Sequence, residues 1–254
     1  MAFEARVSRF CFLSMRGVFF IVGPTATGKS DLAAGVAHDL DAEVVSADAF
    51  QIYRGLDLLT AKPGAATLAK APHHLIGTMS ILEEMNAEKF RRVALRVIDE
   101  IHSGRKSALV AGGSGLYIKA LTHGLTADWK KVDVDPKGVF VFRDREELYS
   151  RINQRVEAMF KNGVIEEARA AGAMSKTASK MIGLHEIREL LEGKMSILEC
   201  AAAIQQATRR YAKRQLTWFR GQTNFEPLNL SLLTHKEAVK RISQRARRAF
   251  AEQG

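Results

Sequence analysis

The sequence predicts an α/β fold, a parallel β-sheet flanked by helices and followed by a mostly helical C-terminal part. Two observations predict it. Short apolar runs alternate with helical runs as far as residue 142: Val18–Val22, Glu43–Val45, Ser107–Ala111 and Val139–Phe142 read as strands. The first of them feeds directly into Gly23-Pro24-Thr25-Ala26-Thr27-Gly28-Lys29-Ser30, and a helix-forming run, Asp31–Leu40, follows. Strand, G-x-x-x-x-G-K-[ST] and helix are the order in which that motif forms a phosphate-binding loop, so the sheet is expected to be P-loop NTPase-like.

Each part of the motif has a physical role. Gly23 and Gly28 let the backbone wrap close to an anion, Pro24 lies in the same loop, and the N–H groups from Thr25 to Ser30 converge on the anion. The positive end of the following helix adds to the field. Lys29 supplies a mobile positive charge and Ser30 a hydroxyl suited to Mg²⁺. The motif binds a phosphate or diphosphate and does not say whose.

Further helices follow from spacing. Ala87–His102 carries Phe90, Val93, Ala94, Val97, Ile98 and Ile101 on one face, and Gly104 ends it. Leu116–Leu121 opens after the glycines 112, 113 and 115. Arg145–Lys161 places Leu148, Ile152, Val156, Met159 and Phe160 together and stops at Gly163. Val164–Ala171 and Ile182–Leu191 are shorter helices, and Ser196 with Glu199 forms a capping box for a long one. The segment 51–72, with its Gly, Pro and Thr, reads as a functional loop with some helix. The division is therefore an extension at 1–17, a core at 18–142, a helical continuation at 143–230 and a basic tail at 231–254. Met15, just before the first strand, is a candidate translation start.

Composition narrows the class. The chain has 254 residues, 46% of them hydrophobic and 26% charged, which is ordinary for a soluble globular protein. No apolar run approaches the ~20 residues of a membrane helix. Cys11 and Cys200 make neither a disulfide framework nor a metal cluster, so a reducing cytoplasm is the expected location. His73 and His74 lack a third ligand at metal-binding spacing and read as structural. The formal net charge of +10 is unevenly spread. Between Cys200 and Phe225 there is no Asp or Glu, while Arg209, Arg210, Lys213, Arg214 and Arg220 fall inside. Arg210, Lys213, Arg214 and Thr217 share one helical face; Ile204, Ala207, Tyr211, Gln215 and Trp218 share another. An acid-free basic stripe is an electrostatic footprint for nucleic acid. Trp218 and Phe219 read as core.

Two strand ends carry the remaining chemistry. Asp48 follows the second strand and is expected beside the P-loop, at the sheet edge where ligands sit. There it can ligate Mg²⁺ or accept a proton. The third strand runs into Gly112-Gly113-Ser114-Gly115 with no carboxylate, and no Asn-Lys-x-Asp motif is present, which argues against a motor or a GTPase. Ser114 offers a hydroxyl. A small-molecule kinase remains open at this point.

Taken together, GPTATGKS at 23–30, SADAFQIYRGLDLLTAKP at 46–63, PHHLIG at 72–77, GGSGLYIKAL at 112–121, RINQRVEAMF at 151–160, IGLHE at 182–186 and TRRYAKRQLTWFR at 208–220 resemble the tRNA dimethylallyltransferases, or isopentenylpyrophosphate transferases. The resemblance covers most of the chain. It implies transfer of a dimethylallyl group from dimethylallyl diphosphate to N6 of the adenine 3′ of a tRNA anticodon, with Mg²⁺ as cofactor. It implies Asp48 as general base and Lys29, Ser114 and Arg155 in catalysis. Thr25 would touch the diphosphate. Asp48, Ala49, Phe50 and Gln51, with the basic helix, would contact the anticodon arm. A monomer is expected. The sequence departs from the family after the GLYIKAL segment. Members carry a helical, Arg-rich insertion there, whereas only residues 126–142 separate Leu125 from Arg143. A tRNA-binding relic without catalysis is the alternative that this departure raises.

Overall fold

The computed structural model describes residues 16–125, 136–222 and 224–253. The candidate start at Met15, Cys11 and most of the shortened insertion lie outside them. Six strands form one parallel sheet in the order β3-β2-β4-β1-β5-β6. They are β1 (Val18–Val22), β2 (Glu43–Ser46), β3 (His73–His74), β4 (Ala108–Gly112), β5 (Gly138–Phe142) and β6 (Glu226–Asn229). The helices are α1 (Lys29–Leu40), α2 (Ala65–Leu68), α3 (Ala87–Ser103), α4 (Gly115–His123), α5 (Arg145–Lys161), α6 (Val164–Ala170), α7 (Leu184–Leu191), α8 (Ile197–Gln222) and α9 (His235–Gln253).

The alternation of side chains along β1 builds a core on each face of the sheet. Val18, Phe20 and Val22 join the core formed with α3 to α8. Phe19 and Ile21 join the core formed with α1 and α9. A strand buried on both faces must be apolar throughout, and all five residues of β1 are buried. Side-chain caps start two of the helices, the second of them the box expected from the sequence. Asn86 accepts the Lys89 N–H at 2.8 Å to start α3. Ser196 and Glu199 close their box before α8, with bonds of 2.8 and 3.3 Å between side chain and backbone N–H.

Three features differ from the sequence reading. The two histidines form β3, paired with Val44 and Val45, and His74 Nε2 meets Glu43 Oε2 at 2.7 Å. Two residues are too few for any periodicity to register. β6 contains Pro227, which argues against a strand by composition; it is tolerated because β6 lies at the edge of the sheet. The expected basic tail is a helix of the core. Thr234 and Glu237 form a second capping box. Ala238, Ile242, Ala246 and Ala249 are all buried against the sheet and α1. Small apolar residues diluted by arginines and lysines hid this face from a reading by hydropathy. Gly35 of α1 admits the close approach, since a Cβ there would lie 3.0 Å from Val239 Cγ2.

Because Ile242 is fully buried in that interface, Ile242→Ala should lower the unfolding free energy by about 2–5 kcal/mol. Urea denaturation reads this as a lower midpoint at unchanged slope. A change below about 0.5 kcal/mol would mean that α9 is an appendage and not part of the core.

Candidate phosphate-binding site and its two clefts

The loop from β1 to α1 is held open by its carbonyls. Pro24 O accepts from Lys29 Nζ at 2.6 Å and from Thr27 Oγ1 at 3.0 Å. Ala26 O accepts from Arg151 Nε at 2.9 Å, and Thr27 O from Arg143 Nε at 3.0 Å. Arg155 Nη1 donates to Thr25 Oγ1 at 2.9 Å. Arg151 and Arg155 stand one turn apart on α5 and reach the loop side by side. Gly28 takes φ 92°, in the left-handed region, which turns the chain into α1. A Cβ on Gly23 would lie 2.0 Å from the Val141 carbonyl, so only glycine allows β5 beside the loop.

Two clefts meet here. The first, of about 510 Å³, is lined by Thr25, Ala26, Gly28, Lys29, Ser30 and Asp31, with Asp48, Arg151 and Arg155 among the facing residues. The second, of about 50 Å³, is lined by Phe50, Leu59, Met159, Met181, Ile182, Ile204 and Tyr211. Thr25, Asp48 and Arg155 line both. The first is polar and cationic; the second is mainly apolar.

Asp48 stands two residues beyond β2, where sheet geometry placed it. Its Oδ1 accepts the N–H of Phe50 at 2.9 Å and of Gln51 at 3.2 Å, which fixes the carboxylate and leaves Oδ2 for the clefts. Gln51 also lines the first cleft, Phe50 lines the second, and Ala49 is half-buried against the core. Burial pushes the Lys29 ammonium down to about 8; Asp48 opposes that shift and Arg155 adds to it. Burial likewise lowers the Arg155 guanidinium against the pull of Asp48, while the group stays cationic. Lys29, Lys62, Arg151 and Arg155 therefore outnumber the carboxylates of the cleft, Asp31 and Asp48, a surplus of positive charge suited to an anion.

The glycines 112, 113 and 115, at the end of β4 and after it, admit close approach. They receive other parts of the protein. A Cβ on Gly112 would lie 2.2 Å from Ala47 O, on Gly113 2.4 Å from Gln215 Nε2, and on Gly115 2.4 Å from the Trp218 ring. Ser114 stands at the N-cap position of α4 without a side-chain capping bond and lines neither cleft. On α8, Arg210, Lys213, Arg214 and Thr217 are exposed together, as their spacing requires. Arg209 departs from its expected RNA-facing place: its Nη2 donates to Asn153 Oδ1 and its guanidinium covers the Tyr149 ring at 5.3 Å. Phe219 is buried, and Trp218 half-covers Gly115. Sequence reasoning missed Arg143, Arg151 and Gln215. The i, i+4 spacing of Arg151 with Arg155 was a usable signal; nothing marked the other two.

The chain matches the family model described as IPP transferase over residues 51–137 and 130–222. It is 40% identical to a tRNA dimethylallyltransferase of Oenococcus oeni over 221 positions, covering 81% of this chain and 85% of that one. It is 37% identical to tRNA dimethylallyltransferase 1 of Citrifermentans bemidjiense, covering 80% and 88%. That second alignment runs over 270 positions, more than the 254 residues of this chain, so the relative carries residues that have no counterpart here. The crystal structure of the full-length tRNA isopentenylpyrophosphate transferase of Bacillus halodurans superposes with a TM-score of 0.83 at 27% identity, covering 93% of this chain and 97% of that one. No helix among the described residues is long and apolar enough to cross a membrane.

The lowered Lys29 value makes a stability prediction. Its folded value, about 8, lies below the ordinary 10.5, so the cost of the buried charge is full below pH 8 and is relieved as the pH rises towards 10.5. After allowance for screening by water in the cleft, that cost is about 1–3 kcal/mol. Lys29→Met should therefore be the more stable protein at neutral pH, with an advantage that shrinks above pH 8. Urea denaturation at several pH values measures it, and a less stable variant at neutral pH would contradict the assignment.

Proposed function

Because the chain belongs to the IPP transferase family, we propose that it transfers a dimethylallyl group from dimethylallyl diphosphate to N6 of the adenine 3′ of the anticodon in tRNA. The observation that carries this reading is the meeting of the two clefts at Thr25, Asp48 and Arg155. The cationic cleft fits a diphosphate. The other has walls of the apolar character that suits a prenyl chain, and at about 50 Å³ it has to widen before the chain and an extruded base can enter. One carboxylate stands between them.

In this reading the N6 lone pair attacks C1 of the donor. The C1–O bond breaks, and its electron pair leaves with the diphosphate. The N6 proton passes to Asp48 Oδ2. Negative charge grows on the leaving group, and Lys29, Arg155, the Thr25 hydroxyl and the loop amides are placed to stabilise it. The adenine has to leave its stack to reach a donor held at this depth. The exposed face of Arg210, Lys213 and Arg214 contacts the phosphates of the anticodon arm.

Mg²⁺ fits the residues present. The Ser30 hydroxyl and the Asp48 carboxylate line the same cleft, and no cluster of three His, Cys, Asp or Glu that could hold a metal occurs among the described residues. Such an ion takes most of its ligands from phosphate oxygens and water, as Mg²⁺ does. When bound it supplies further positive charge against the diphosphate. The loop, Asp48 and Arg155 belong to one chain, so a monomer suffices for the chemistry.

Incubation with undermodified tRNA, Mg²⁺ and dimethylallyl diphosphate should yield the N6-dimethylallyl nucleoside, detected by mass spectrometry. Absence of product at high enzyme concentration would sink this reading. Asp48→Ala should lose ~10²-fold or more of the rate. Arg210→Ala should weaken tRNA binding and reduce the steepness of its salt dependence by a little under one phosphate's worth. If both stay unchanged, that face of α8 is merely solvated.

A further inference from the structure

We propose that Gln215 is a positioning residue for this reaction: its buried side-chain amide sets the place of Thr25, and through Thr25 that of Arg155. The proposal rests on the prenyl-transfer reading.

Gln215 lies on the inner face of α8 and is 6% exposed. Its Oε1 accepts the Thr25 N–H at 2.8 Å, and its Nε2 donates to Gly113 O at 2.7 Å. The orientation of the amide is not free. The Thr25 N–H can only donate and the Gly113 carbonyl can only accept, so a flipped amide would lose both bonds. One side chain thus ties the phosphate loop after β1 to the turn after β4, with more than 100 residues of sequence between it and either partner. Tyr211, on the wall of the second cleft, stands one turn before Gln215 on α8.

The consequence for Thr25 is specific. Its amide is occupied by Gln215 and is lost to an incoming phosphate. Its hydroxyl is the recorded partner of Arg155 Nη1 at 2.9 Å. Both ends of Thr25 are therefore held, the backbone from α8 and the side chain from α5. Without Gln215 the Thr25 peptide can rotate, and the hydroxyl that orients Arg155 moves with it. Arg155 is the guanidinium that both clefts share, and misplacing such a group by about 1 Å can cost up to about 10²-fold in rate. Gly113 fits the same account, because the space a Cβ would need there is filled by Gln215 Nε2.

Gln215→Met keeps the length of the side chain and removes both bonds. Per folded enzyme, kcat should fall about tenfold or more and the affinity for inorganic diphosphate by a similar factor. The Kd for tRNA should stay within about twofold, because the exposed cations of α8 are untouched. Gly113→Ala, which displaces Gln215 without altering it, should give the same profile. Thr25→Val removes the hydroxyl that Arg155 uses, so the double variant Gln215→Met with Thr25→Val should be little slower than the worse single variant.

A purely structural Gln215 would lower Tm and leave kcat and diphosphate affinity per folded molecule unchanged, which would overturn the proposal. Losses that multiply in the double variant would overturn it too. The diphosphate titration needs no turnover. A wild type that makes no prenylated product therefore defeats the reaction assigned above, while an unaltered diphosphate affinity in Gln215→Met defeats the positioning role.

Discussion

The site depends on a division of roles within one short loop: its carbonyls and the Thr25 amide are held by the protein so that the amides at the start of α1 stay available. Pro24, Ala26 and Thr27 each direct a carbonyl oxygen to a cation, Lys29, Arg151 and Arg143 respectively. A loop so pinned leaves the amides at the start of α1, which have no carbonyl one turn back, pointing into the cleft. The same cations raise the local positive potential. Anchoring and attraction therefore come from the same side chains, and the two cannot be altered independently.

That arrangement explains why α5 lies where it does. A helix that only covered the sheet would need an apolar stripe, and Leu148, Ile152 and Val156 supply one. Arg151 and Arg155 stand on the flank of that stripe, turned towards the loop. Packing α5 on the core thus fixes the arginines to the depth of the phosphate site. Asp48 answers from the other side. It is the carboxylate that the cations share, and its Oδ1 is already committed to two backbone amides. The surplus of positive charge in the site costs stability, which an anion recovers on binding.

The sequence made some of this legible, for reasons that can be stated residue by residue. The loop and Asp48 could be found because their chemistry depends on residue types at fixed positions relative to strands. The two faces of α8 could be found because helical periodicity separates Arg210, Lys213 and Arg214 from Tyr211, Gln215 and Trp218. What stayed hidden depends on distant pairing. Gln215 stood among residues read as a largely apolar face, and its partners lie at Thr25 and Gly113, which no local pattern connects. Arg143 and Arg151 looked like ordinary charges on a helix and its approach. α9 concealed a packing face of alanines behind its arginines. Arg209 could be placed on α8 by spacing, but its attachment to Asn153 and Tyr149 is a property of two helices and not of one.

α8 is where these strands of argument meet. Its outer face carries cations suited to RNA phosphates, and its inner face carries the amide that holds Thr25 and the indole that covers Gly115. Thr25, Asp48 and Arg155, which join the two clefts, come from the turns after β1 and β2 and from α5. Because the inner and outer residues of that helix alternate within a single turn, Lys213 and Arg214 beside Gln215, a force applied to the outer face by bound RNA acts within one residue of the clamp on the phosphate loop. A rigid helix that serves both ends is the most direct physical route by which an RNA-bound state and a donor-bound state can favour one another.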